Sequence, residues 1–172
     1  MSCIAKPQRQ ITAPSNGKIN IISVLVNEAR QWPAVVRAAG SETPQEYAVW
    51  TFGDLYPPKI GAVEGPRRII LAYFGEEGQW GEGAQKWGNG EGLRPSTPRA
   101  VCAIGEYHPK LFDRLNMDPV TVIAPLPRVF LGERVVVNVQ WLGTMRKVNH
   151  RCFQDIWRGH YWFAFEEETA SE

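Results

Sequence analysis

The residues in this chain best suited to molecular recognition are aromatic and basic. Trp80-Gly-Glu-Gly83 is followed, seven residues on, by Trp87-Gly-Asn-Gly90 and then Glu91-Gly92. A tryptophan buries a large area at small entropic cost, which makes it a favoured interface anchor. Flexible glycines beside it would let the indole turn towards a partner. Trp80 and Trp87 are therefore expected to bind a partner; the opposing reading folds both back onto the protein's own surface. The glycines do not form a phosphate loop, because no Gly-Lys-Ser/Thr follows and Glu82 and Glu91 would repel phosphate.

A second group lies further along. Arg146, Lys147, His150, Arg151, Arg158 and His160 are interleaved with Trp141, Phe153, Trp157, Tyr161 and Trp162. Surfaces for single-stranded nucleic acid mix residues in this way, with cations on the phosphates and rings under the bases. An ordinary amphipathic ribbon would do the same, with rings inward and charges in water. Arg146, Lys147, Arg151 and Arg158 join the two tryptophans as candidate partner-binding residues, where they would set orientation and on-rate.

Metal and nucleophile chemistry have weaker signals. His150 with Cys152, and Cys102 with His108, could supply zinc ligands, but neither spacing matches the usual knuckles. Neither a metal nor a cofactor is expected. Cys102 or Cys152 could act as a nucleophile with a histidine base, and Asp54, Glu106 and Asp113 could serve as acids or bases. No Gly-x-Ser-x-Gly, His-Glu-x-x-His or paired-carboxylate pattern supports any of them. Catalytic residues are accordingly expected to be none.

Composition narrows the class. Hydrophobic residues make up 44% of 172 positions and charged ones 22%, enough apolar material for a full core in one domain. The net charge of +1 provides no global field to steer a polyanion. Locally, the stretch 131–165 is basic, while Glu166, Glu167, Glu168 and Glu172 make the end acidic. Cys3, Cys102 and Cys152 form an odd set without Cys-x-x-Cys, so no disulfide framework is implied. Residues 1–12 lack the apolar core of a secretory signal, and no stretch approaches the roughly 20 apolar residues of a membrane helix. The expected location is the cytoplasm, or the host cytoplasm for a protein of viral or mobile-element origin.

These residues need elements to position them. Residues 1–17 read as a polar arm, 18–165 as one α+β domain and 166–172 as an acidic tail. Apolar residues recur at three- and four-residue spacing over 20–39, predicting an amphipathic helix ended by Gly40 and kinked at Pro33. The β-branched part, 18–26, would suit a strand as well. Strands are expected over 47–52, 67–74, 99–104, 120–124, 134–141 and 161–165. A short helix opens at Pro109, and one or two helical turns are expected over 149–157. The span 75–98 reads as a long Gly- and Trp-containing loop. The predicted fold is a mainly antiparallel or mixed, curled sheet of about six strands, with an N-terminal helix and one or two short helices.

The function this predicts is a non-enzymatic binding or accessory protein. It would be an inhibitor, adaptor or structural subunit of the kind phages and mobile elements carry, occupying a surface of a larger protein or nucleoprotein partner. A homo-oligomer is compatible with this, and a membrane is not expected. The alternative is a nucleic-acid binder using residues 141–162. The third reading is a small cytosolic enzyme with a Cys/His site.

Overall fold

The computed structural model describes residues 9–167, so Cys3 and the tail glutamates Glu168 and Glu172 lie outside the described residues. Alternation decides the first element. Ile22, Val24 and Val26 are buried while Ser23 and Leu25 face out, so Lys18–Val26 is a strand, β1, and not the start of a helix. Its β-branched residues suit a pleated surface, and it pairs antiparallel with β2 (Gly65–Tyr73) along its whole length. The expected helix survives in its second half as α1 (Trp32–Ala39), with Pro33 in its first turn, where a missing N–H costs nothing.

The remaining elements are β3 (Gln79–Trp80), α2 (Gly81–Gly90), β4 (Leu93–Pro95), α3 (Pro98–Tyr107), α4 (Leu111–Leu115), β5 (Val120–Ile123), β6 (Arg128–Phe130), β7 (Glu133–Leu142), β8 (Met145–Cys152), β9 (Ile156–Trp157) and β10 (Tyr161–Glu167). Eight strands form one mixed sheet, more than the six expected, in the order β1-β2-β10-β5-β7-β6, with β4 also on β10 and β8 also on β7. All pairs are antiparallel except β10 with β5. One face carries α1 and α3 over a core that includes Trp32, Val36, Ile104, Trp141 and Trp162. The other carries a smaller core of Ile70, Ala84, Phe153, Trp157, Phe163 and Phe165.

Four expectations are corrected. The loop read over 75–98 folds as β3, α2 and β4. Its glycines serve close packing: a Cβ on Gly81 would stand 2.5 Å from the Phe153 ring, and one on Gly88 would stand 2.5 Å from Phe165. The strand expected over 99–104 is helix α3, capped by Thr97, whose hydroxyl oxygen accepts from the Ala100 N–H at 3.2 Å. Every residue of Pro98–Gly105 is buried, so α3 shows no polar face to reveal a helical period. The helical turns expected over 149–157 are the end of β8 and strand β9. Residues 47–52 hold a 3-10 turn, Ala48–Thr51, in place of a strand.

Described residues of the expected arm and tail are also drawn into the fold. In the arm, the Thr12 N–H donates to Glu91 at 3.0 Å, and Ile11 packs against the smaller core. Glu166, expected in a solvated tail, is a buried member of β10. Its Oε1 lies 3.3 Å from Arg67 Nη1, which also holds Glu28 at 2.7 Å, and Arg94 lies 3.6 Å from its Oε2.

Two of the edge strands, β8 and β1, carry side-chain caps. On β8, the outward N–H groups of Arg146 and Val148 donate to Glu42 (3.2 Å) and Thr43 (2.9 Å). On β1, the Ile21 carbonyl accepts from Arg114 at 2.8 Å, and the ring Nε2 of His108 sits 3.0 Å from the Ser23 carbonyl. Capped edges oppose strand addition by another chain.

Candidate functional site

The turn Gly75-Glu76-Glu77-Gly78 leads from β2 to β3 and is closed by the Gly78 N–H donating to the Gly75 carbonyl at 3.1 Å. Both glycines have positive φ, +82° and +76°. The two glutamates are thus the central residues of a turn whose ends only glycine accommodates easily. From there the chain enters a two-stranded ribbon, with Gln79 opposite Trp157 and Trp80 opposite Ile156. Directly opposed residues share a face, and neighbours alternate. Trp157 points inward at 1% exposure, edge-on to Tyr161 and Phe163. Trp80 points the other way at 54% exposure. Of the seven tryptophans it alone is exposed.

Three clefts surround this ribbon. One of about 250 Å³ lies between Trp80, Gly81, Glu82, Phe153 and Gln154. A second, of about 550 Å³, is lined by Glu76, Glu77, Ile156 and Arg158. A third, of about 510 Å³, runs on the other side of the glutamate turn, with Asn16, Phe74, Gln79 and Trp87 among its walls. Glu76 and Glu77 form the ridge between the two larger clefts.

The six residues singled out in the sequence therefore separate. Trp80, Trp87 and Arg158 each line one of these neighbouring clefts. Trp87 is half-buried in α2, edge-on to Phe74 (5.6 Å) and Phe165 (5.5 Å), so its role is mainly packing. Arg158 is exposed. Arg146 is turned inward, donating to the Gly105 carbonyl. Arg151 bonds the Tyr161 hydroxyl at 2.6 Å and Asp155 at 3.2 Å, and its guanidinium lies 4.7 Å from the Trp157 ring centre. Lys147 is half-buried on β8, opposite Gln140 on β7. The rings expected to stack on bases are largely enclosed: Trp141, Phe153, Trp157 and Trp162 are all buried.

Other candidate groups are occupied elsewhere or dispersed. Cys102 lies inside α3, and burial pushes its thiol up to about 12, which keeps it protonated at neutral pH. His150 packs between Phe52 and Phe130, and burial lowers its pKa. Glu106 accepts from Arg30 at 2.8 Å, and Asp54 and Asp113 are solitary exposed carboxylates. No three His, Cys, Asp or Glu side chains converge to hold a metal among the described residues. Glu76, Glu77 and Ile156 were not among the candidate residues. The Gly-Glu-Glu-Gly turn was a usable signal for the first two, while the cross-strand partner of Trp80 depends on the fold.

The densest charge cluster, around Glu28, Arg67, Arg94 and Glu166, pairs its charges with one another. Burial raises the Glu166 pKa, Arg67 and Arg94 oppose that, and Glu28 adds to it. Between the ordinary carboxylate range and this raised value, the folded protein holds a proton that the unfolded chain has released. Stability should therefore fall as pH rises through that window. Glu166→Gln is expected to flatten this part of the stability–pH curve, measured by urea unfolding between pH 4 and 8. An unchanged slope would contradict the assignment.

Comparison with family models, with curated proteins and with solved structures finds no match.

Proposed function

We propose that this protein is a non-enzymatic binding protein, an inhibitor, adaptor or structural subunit, that acts by covering a surface of a larger macromolecule with its β3–β9 ribbon. The observation carrying this reading is Trp80. This residue is 54% exposed beside a cleft lined by Gly81, Glu82, Phe153 and Gln154, where a partner could bury the large indole surface. Central aromatic anchors that fill such pockets commonly supply 2 kcal/mol or more of binding energy each. Trp157, the ribbon's inward residue, ties it to the smaller core, and Arg158 stands at its rim. The caps on β1 and β8 oppose strand addition at those two edges. Glu76 and Glu77 would repel phosphate, which favours a protein partner over nucleic acid.

A photo-crosslinking residue, p-benzoylphenylalanine, placed at position 80 of the full chain in its native host tests this. The expected result is a defined protein adduct that survives nuclease and is absent when the same residue replaces Ile60. That position is 99% exposed in the loop before the other end of β2. Equal labelling from both positions, or a nuclease-sensitive adduct, would refute the proposal.

A further inference from the structure

We infer that the partner presents to the Trp80 surface a segment in which an apolar side chain lies close to a lysine or arginine. This rests on reading that surface as a binding site and adds the chemistry of what it takes.

The apolar half follows from the ribbon. Trp80 and Ile156 are a cross-strand pair on its outward face, and the adjoining cleft of about 250 Å³ is lined by Trp80, Gly81, Glu82, Phe153 and Gln154. That space suits one aliphatic or aromatic side chain. Gly81 packs directly on the Phe153 ring, where an added methyl group would stand 2.5 Å away.

The basic half follows from the charges around it. Other acidic residues near the ribbon are paired within the chain, Glu82 with Arg134 at 3.2 Å and Asp155 with Arg151 at 3.2 Å. Glu76 and Glu77 form no ion pair among the described residues. They project from a turn pinned at both ends. A Cβ on Gly75 would stand 2.7 Å from the Asn16 carbonyl, and one on Gly78 would stand 2.0 Å from that of Trp157. Two carboxylates are thus held on a ridge with a cleft on each side, and little ordering is needed when a cation arrives. Arg158, across the 550 Å³ cleft, is left to donate to a backbone carbonyl or a carboxylate of the same segment. Two unpaired acids against one base make a cationic side chain the better electrostatic match.

Fluorescence anisotropy of labelled twelve-residue peptides with the full chain tests this, using three sets: Leu/Phe with Lys/Arg, Leu/Phe with Asp/Glu, and Ser with Lys/Arg. The first set should bind about tenfold or more tighter than either of the others, with affinity falling as salt rises. Glu76→Gln with Glu77→Gln should remove most of its advantage over the acidic set, leaving the melting temperature in place. Trp80→Ala should weaken binding of the first set roughly thirtyfold or more. Equal or tighter binding of the acidic set, or a preference that persists in the double variant, would overturn the basic-segment assignment while leaving the binding surface intact. Binding indifferent to Trp80→Ala, or absent for all sets, would overturn the surface itself. A DNA or RNA oligonucleotide that outcompetes every peptide would count against both.

Discussion

Gly78→Ala is expected to destabilise the protein by about 2–4 kcal/mol and to abolish partner binding at the same time. The position has φ +76°, where an L side chain is strained. The added methyl would also stand 2.0 Å from the Trp157 carbonyl oxygen and 2.8 Å from the Arg158 Cα, both backbone atoms that cannot swing aside. Relief requires β3 and β9 to part. Parting them moves Glu76, Glu77, Trp80 and Arg158 relative to one another and unseats Trp157 from the smaller core. Gly90→Ala is the matched control. Its Cβ would meet nothing within 4 Å, and alanine suits a helix end better than glycine does. Chemical unfolding of the two variants beside the parent checks this; equal stability of both would mean that the turn is not pinned as described.

What the sequence disclosed, and what it hid, follows from how local each determinant is. Val135, Val137, Val139 and Trp141 alternate within one strand, so β7 was readable directly. β2, β5 and β10 were apolar runs of strand length and were likewise legible. Helix α3 was not, because Val101, Cys102 and Ile104 are β-forming types and the helix is buried on every side, which erases the period. α2 was hidden for the opposite reason. Its four glycines suggest a loop, yet two of them are there because aromatic rings of other elements lie against the helix backbone.

The site was legible in the same uneven way. Trp80 and Trp87 share one motif, but Trp80 precedes the first turn of α2 while Trp87 is inside it, so their equal neighbours lead to opposite fates. The arginines of the basic stretch could not be sorted from sequence. Arg146 finds its acceptor 41 residues away at Gly105, and Arg151 finds Tyr161 on another strand. Of Arg146, Arg151 and Arg158, only Arg158 is exposed.

Trp80→Ala, followed by both partner affinity and thermal unfolding, tests the role of the outward ribbon most directly. The indole is 54% exposed and contributes to neither core, so removal should move the melting temperature by no more than about 2 °C. Loss of a central aromatic anchor should weaken binding roughly thirtyfold or more. A drop of many degrees with unaltered affinity would place this side chain among the structural tryptophans and leave the ribbon with no role in recognition.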